Sequence, residues 1–399
     1  MTIIPKTFTV ALVGVGARAG LARHVESAGA TLVATVDPDP AATRRAAELF
    51  GRELPRYEDV PALLAHHPDL DGVIIASPDD THHAVATPLL EAGVAVYVEK
   101  PLAITTEDAD DLLETAYRCD ARLYVGHNMR HMHVVRLMKQ IIDRGEIGQV
   151  QAIWCRHFVG AGGDFYFKDW HADRSHQGGL LLQKGAHDID VMHWLAGSST
   201  REVVAMGDLM VYGRVQSRRD NSDRRMWDWY SLDNWPPLEQ TDLNPVIDVE
   251  DISMMTMRLD SGVLASYQQC HFTPDYWRSY TVIGTEGRLE NFGDGEGGEV
   301  RVWNRRSGYL EQGHVQYPIV GDARGHNDAD ALTVAEFVRF ARDGASTDTS
   351  PLGARDAVAA AVAATRSLRS GSMPQLVPQV RDELADYYRS HQRRETAHA

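Results

Sequence analysis

Two short stretches carry side chains able to hold a substrate hydroxyl and move its proton: Glu99-Lys100-Pro101, and the run Gln183-Lys184-Gly185-Ala186-His187. Oxidising a secondary alcohol removes the hydroxyl proton as hydride leaves the same carbon, so a lysine and a histidine around one oxygen supply a charge stabiliser and a general base. Each group also has a plainer reading. Lys100 could equally be a surface lysine at a strand end, and His187 a core histidine satisfied by its neighbours. The elements that would position them decide between these readings.

Lys100 closes V-A-V-Y-V-E-K-P, Val94 to Pro101, whose unbroken β-branched and aromatic run has the composition of a buried parallel strand. Ligands of open parallel sheets sit beyond the carboxyl ends of the strands. From Phe8 to about Asn128 strands alternate with helices, with strands at Phe8 to Val13, Thr31 to Val36, Gly72 to Ala76, Val94 to Val98 and Arg122 to Gly126. This alternation predicts a doubly wound parallel sheet. The first turn, V-G-V-G-A-R-A-G, places Gly14, Gly16, Ala17 and Arg18 in a G-x-G-x-x-A pattern completed by Ala19. Glycines there let the backbone turn tightly and approach a pyrophosphate resting on the amino end of the next helix. Asp37, about 20 residues on at the end of the second strand, would accept hydrogen bonds from the adenosine ribose and repel a 2′-phosphate, which favours NAD over NADP. Polar groups recur at two further strand ends, Ser77 and Pro78 before a helix opening near His82, and Asn128 after the fifth strand.

Beyond Arg130 the pattern changes. A helix is predicted from Val134 to Arg144, then a strand from Val150, and then the stretch Gly178 to Leu195, whose apolar residues recur at helical spacing. That spacing puts Gln183, Lys184 and His187 on one helix face. Strands are predicted at Val203 to Met206, Ile252 to Leu259, Val263 to Gln269, Tyr280 to Ile283, Gly287 to Asn291 and Val300 to Trp303. With no long helices between most of them, they form an open, mostly antiparallel sheet. Gly293 to Gly298 reads as a hairpin turn. An insertion from Gly213 to Pro245 carries Trp227, Trp229 and Trp235, which as exposed tryptophans imply either a subunit contact or a substrate lip. Asp328 to Ala341 and Gly353 to Ser370 read as closing helices, and 379–399 as a surface helix or mobile tail.

A chain of 399 residues exceeds what one core usually organises, so two domains are expected, 1–128 and 129–399. The formal charge of -16 argues against a nucleic-acid partner, since phosphate binding needs a basic face. Three scattered cysteines match no metal spacing and suit a reducing cytosol, and no stretch has the length of a membrane span. The expected setting is the cytoplasm, with no metal ion.

Taken together, V-G-V-G-A-R-A-G, S-P-D-D-T-H, V-E-K-P, H-N-M-R and G-G-L-L-L-Q-K-G-A-H-D-I-D resemble the glucose-fructose oxidoreductase / inositol dehydrogenase family, written Gfo/Idh/MocA, over roughly Phe8 to Ser370. The resemblance implies an α/β chain: an N-terminal Rossmann domain, then an α/β domain on an open sheet. It implies NAD(P)-dependent hydride transfer on a sugar or cyclitol by homodimers or homotetramers; with Asp37 the cofactor expected is NAD, and C3 is the expected position and the C-terminal sheet the expected contact. Carried over by position, Lys100 holds the reacting hydroxyl and His187 exchanges its proton. Many members have an aspartate four residues before that histidine, where this chain has Gln183 followed by Lys184; a lysine-containing subgroup, with a loop similar to Tyr166 to Arg174, is nearer. The added cation suits an anionic or strongly hydrogen-bonding substrate. The cofactor-binding set is therefore Gly14, Gly16, Ala17, Arg18, Asp37, Ser77, Pro78, His82, Glu99, Lys100 and Asn128. The catalytic set is Lys100, His187 and Lys184, and substrate contacts are expected from Trp170, His171, Arg174, Gln183 and His326. Two other readings stand beside a net dehydrogenase. One is a glycoside hydrolase that recycles NAD through oxidation, elimination, hydration and reduction, on an anionic substrate such as a sulfoquinovoside; the other is a non-enzymatic NAD-sensing regulator.

Overall fold

The computed structural model describes residues 7–321 and 327–394. The chain divides into two compact units: Met1–His131 with His326–Arg355 and Val380–Ala399, and Met132–Gly325 with Asp356–Gln379. The sequence places one boundary near residue 128 and assigns everything after it to the second domain. The structure instead returns two later segments to the first unit.

The first unit is built on six parallel strands, β1 (Phe8–Val13), β2 (Ala30–Val36), β3 (Arg56–Tyr57), β4 (Gly72–Ile75), β5 (Ala95–Val98) and β6 (Leu123–Val125), in the order β3-β2-β1-β4-β5-β6. This is a doubly wound sheet whose order reverses between β1 and β4, where such folds bind ligands. Strands β4 and β5 are buried at every residue, which is why they read as unbroken apolar runs. The later segments earn their place by burial. Helix Asn327–Asp343 sends Val334, Phe337 and Phe340 into the same core as Phe8, Val10 and Leu12. The Phe337 ring meets Tyr97 edge-on at 5.6 Å. Helix Asp382–Arg389, expected as a surface helix or mobile tail, buries Leu384, Tyr387 and Tyr388. Just beyond it, the Gln392 side chain accepts from the Leu123 amide at 3.0 Å and donates to the Leu123 carbonyl at 2.7 Å, closing the edge of β6 as a neighbouring strand would.

The second unit carries nine strands: β7 (Val150–Phe158), β8 (Thr200–Asp208), β9 (Ile252–Leu259), β10 (Leu264–Cys270), β11 (Trp277–Gly284), β12 (Arg288–Phe292), β13 (Glu299–Trp303), β14 (Val315–Pro318) and β15 (Gln375–Leu376). They run in the order β14-β13-β12-β11-β7-β10-β9-β8-β15, antiparallel except for the parallel pair β7 and β10. The Gly293–Gly298 hairpin joins β12 to β13 as expected. Along β7 the side chains alternate, with Ile153, Cys155 and His157 buried and Trp154 and Arg156 facing out. Helix Gly185–Ala196 packs on β7 and β10.

The insertion between β8 and β9 is fastened rather than loose. Asp251 accepts the amides of Met210, Val211 and Tyr212 at 2.8, 2.7 and 2.8 Å. At its far side Asp164 accepts from Asn234 at 2.8 Å, and the Trp229 indole donates to the Asp164 carbonyl at 2.9 Å. Trp229 is thus buried, contrary to expectation, while Trp227 and Trp235 remain exposed.

Candidate functional site

In the first unit the predicted cofactor residues gather at the carboxyl ends of β1, β2, β4, β5 and β6. Gly14 has φ +88°, and a side chain there would place its first carbon 2.6 Å from the Ser77 amide nitrogen, so only glycine fits. Gly16 has open space where a side chain would be, room for a pyrophosphate to approach the backbone. The helix that follows, Ala19–His24, is of the tighter 3-10 type. Asp37 stands at the end of β2, its carboxylate accepting the Val15 and Asp39 amides, each at 2.9 Å, with Arg45 3.6 Å away. A carboxylate held this way by the backbone of the glycine turn is pre-set to receive a ribose hydroxyl pair. These residues fit a dinucleotide.

Other members of the predicted set are present but otherwise engaged. His82, expected against the cofactor, is fully buried and bridges the carbonyls of Pro101 (2.8 Å) and Ser77 (3.0 Å), so it ties the loop after β5 to the loop after β4. Arg18 is half-buried and turned to the protein's own carboxylates. Its guanidinium pairs with Glu99 at 2.7 Å and forks onto both carboxylate oxygens of Asp330 at 3.0 Å. Glu99 uses its other oxygen to accept the Lys100 amide at 2.8 Å, which fixes the backbone from which Lys100 projects. Nearby, His131, Glu336 and Asp348 bring ligand-type atoms within 4.8 Å of one another. Glu336 there also accepts from Tyr124 at 2.8 Å and from the Asp348 amide at 2.9 Å, the arrangement of an anchor for its helix.

In the second unit the helix predicted over Gly178 to Leu195 is interrupted. A short turn, Leu180–Gln183, and the main helix, Gly185–Ala196, meet at Lys184. Gly185 lies against the ring of Tyr267, where a side chain would come within 3.0 Å. Lys184 sets its ammonium 5.8 Å from the centre of the Tyr166 ring. Tyr166 in turn meets His171 and His271 edge-on, at 5.7 and 5.3 Å, and His171 stacks on Trp170 at 3.7 Å. Lys184, Trp170 and His171 are therefore joined through Tyr166, which opens the Tyr166 to Arg174 loop but was not itself among the expected substrate contacts. Gln183 and His187 are almost fully buried beside them. Arg174 is not part of this group, because it pairs with Asp248 at 3.1 Å. His326 lies outside the described residues.

The residue after His187 explains how the helix is held. Asp188 is completely buried and accepts hydrogen bonds from His157 Nδ1 (3.0 Å), Tyr267 (3.1 Å) and Tyr280, and forms an ion pair with Arg278 at 2.8 Å. Burial alone would raise its pKa, but the Arg278 guanidinium and His157 hold the carboxyl well below the usual range. Burial, with Arg278 beside it, pushes His157 well down, so it stays neutral and donates through Nδ1. His271 is likewise driven down, to about 3, by burial and by the ammonium of Lys184. The sequence signal for His157 was its position: in the alternation of β7 it falls on the inward, apolar face.

A glycine turn on a doubly wound sheet, followed by a mixed nine-stranded sheet, defines a dinucleotide-binding α/β class. The comparisons name the family. Residues 8–127 match the model described as "Oxidoreductase family, NAD-binding Rossmann fold", and residues 135–290 match the GFO/IDH/MocA C-terminal domain. The chain belongs to the Gfo/Idh/MocA family, and its first unit is an NAD-binding Rossmann fold. It is 28% identical over 256 residues to the putative oxidoreductase YteT of Bacillus subtilis, covering 55% of this chain and 60% of that one. It is 30% identical over 246 residues to 2,7-anhydro-N-acetylneuraminate hydratase of Mediterraneibacter gnavus, covering 58% and 63%. Among solved structures, levoglucosan dehydrogenase in complex with NADH and levoglucosan shares the fold, with a TM-score of 0.77 at 19% identity over 94% of this chain and 100% of the other. The chain thus spans under two thirds of the length of the two curated relatives. Among the described residues no helix is long and apolar enough to cross a membrane.

Proposed function

We propose that this chain is an NAD-dependent enzyme that transfers hydride at a secondary alcohol, C3, of a sugar or glycoside. The observation that carries the reading is the start of the Gly185–Ala196 helix, where Lys184 and His187 stand beside a carboxylate, Asp188, locked into the sheet beneath. Bound nicotinamide would supply the hydride acceptor. His187 takes the hydroxyl proton, Lys100 orients the oxygen and stabilises developing alkoxide, and Lys184 binds the substrate against Tyr166, Trp170 and His171. Gly14, Gly16, Asp37 and Asn128 hold the cofactor, and Glu99 holds the Lys100 backbone.

A second reading has the hydride returned in the same turnover: oxidation acidifies the C2 proton, the C1 substituent is eliminated, water adds, and the ketone is reduced. Two features favour it: a relative named as a hydratase, and the extra cation Lys184, which suits an anionic glycoside. Purified protein incubated with NAD and a panel of glycosides separates the readings. Net growth of NADH absorbance supports the dehydrogenase, and aglycone release without it supports the glycosidase. Tight NAD binding with neither signal returns the sensor reading. Lys100→Ala and His187→Ala should each lower turnover by about 10²–10⁴-fold; values within a few-fold of wild type would remove the assignment.

For assembly we propose pairing of chains through the outer face of the second sheet. Trp154, Met206, Met254 and Leu264 are all exposed there, Met206 lies directly opposite Met254 across β8 and β9, and a cavity of about 350 Å³ opens beside Trp154 and Leu264.

A further inference from the structure

The carboxyl edge of the first sheet holds a charge network that the reaction above does not use. Arg18, from the glycine turn after β1, is held between Glu99 at the end of β5 and Asp330 on helix Asn327–Asp343. Asp330 also accepts from the Asn128 side-chain amide, beyond β6, at 2.7 Å. That bond fixes which way the Asn128 carboxamide faces. Its oxygen is buried and finds no donor among the described residues, so it stands ready to accept from an amide such as that of nicotinamide.

Two carboxylates against one guanidinium leave one negative charge in excess. Its place along the cofactor follows from the strand order. With the adenosine ribose at Asp37 on β2 and the pyrophosphate at Gly16 after β1, the rest of the dinucleotide runs over the ends of β4, β5 and β6. The network therefore lies at the nicotinamide end. The oxidised ring carries a positive charge that the reduced ring lacks, so a nearby negative charge stabilises one form over the other. Lys100 adds a cation to the same edge, but Asp330 enters the balance in the same direction whatever the state of that amine.

We propose that Asp330 sets the preference of the site for oxidised over reduced cofactor, by balancing Arg18 with an extra negative charge and by orienting Asn128. The inference rests on the NAD reading of the first unit. It identifies Arg18 as a counter-charge to carboxylates, with its donors already committed.

The full chain titrated separately with NAD+ and NADH, by intrinsic tryptophan fluorescence, tests it without any substrate. Asp330→Asn should lower the ratio of NAD+ to NADH affinity by about fivefold or more, as expected for loss of one partly buried charge, while Asp330→Glu stays within about twofold of wild type. Arg18→Gln removes the cation and should move the ratio the opposite way; it also serves if the asparagine variant fails to fold. A parallel fall in both affinities, or an unmoved ratio, overturns the proposal, since a purely structural role weakens both forms alike. Wild-type protein that binds neither nucleotide overturns the cofactor reading itself, and this inference with it.

Discussion

Asp188 is the shared partner of four side chains, His157, Tyr267, Tyr280 and Arg278. Replacing it with asparagine leaves the Arg278 guanidinium fully buried with no compensating charge. Asp188→Asn should cost about 3–5 kcal/mol, measured as the loss in unfolding free energy in urea. The neutral histidines give a second prediction. His271 is pushed to about 3 in the fold, below its ordinary value, so the unfolded chain takes up the proton first. Its contribution to stability is complete above about pH 6.5 and declines as the pH falls toward 3. At pH 5 the loss should be on the order of 1–2 kcal/mol, and His271→Asn should flatten the urea midpoint between pH 7 and pH 5. Lys100 and His187 stood out in the sequence by position, a lysine at the end of an apolar strand and a histidine on an apolar helix, although each also had a plainer reading as a surface lysine and a core histidine. The partners of Asp188 were not, since they lie 31 to 92 residues away and only the sheet register brings them in.

Among the elements, the turn after β1 is tightly constrained at Gly14. Gly14→Ala would drive a methyl group into the Ser77 backbone from a left-handed conformation. NAD+ affinity should fall by about tenfold or more, consistent with roughly 1–3 kcal/mol of backbone strain, as read by nucleotide titration. Strand positions in the first unit were legible to within a residue or two, because β4 and β5 are apolar on both faces. Short edge strands such as β3 and β15 were not, since two residues carry no periodicity. The break at Lys184 was also hidden: apolar spacing continues across it, and only the contact of Gly185 with Tyr267 marks it.

Across the whole molecule, the formal charge of -16 keeps copies apart in general, so any self-association must be concentrated on an apolar patch. The outer sheet face supplies one. Met254→Arg combined with Trp154→Glu should reduce the mass seen by light scattering to that of one chain, 44.3 kDa, with the unfolding midpoint of the isolated chain retained. If the single-chain mass is already that of the wild type, the pairing proposal fails. Two-unit organisation was legible from length, but the return of later segments to the first unit was not. Apolar periodicity in Asn327–Asp343 says that the helix is buried without saying where.

That return has a consequence in time. A ribosome delivers β1 to β6 within the first third of the chain, but Asp330, Phe337 and Gln392 emerge only in the last quarter. Until then the nucleotide unit lacks part of its core, the counter-charge to Arg18 and the cover on β6. Nascent chains halted before residue 327 should therefore be unable to retain NAD, since the nucleotide unit is completed only after most of the second unit, Met132–Gly325, has been made.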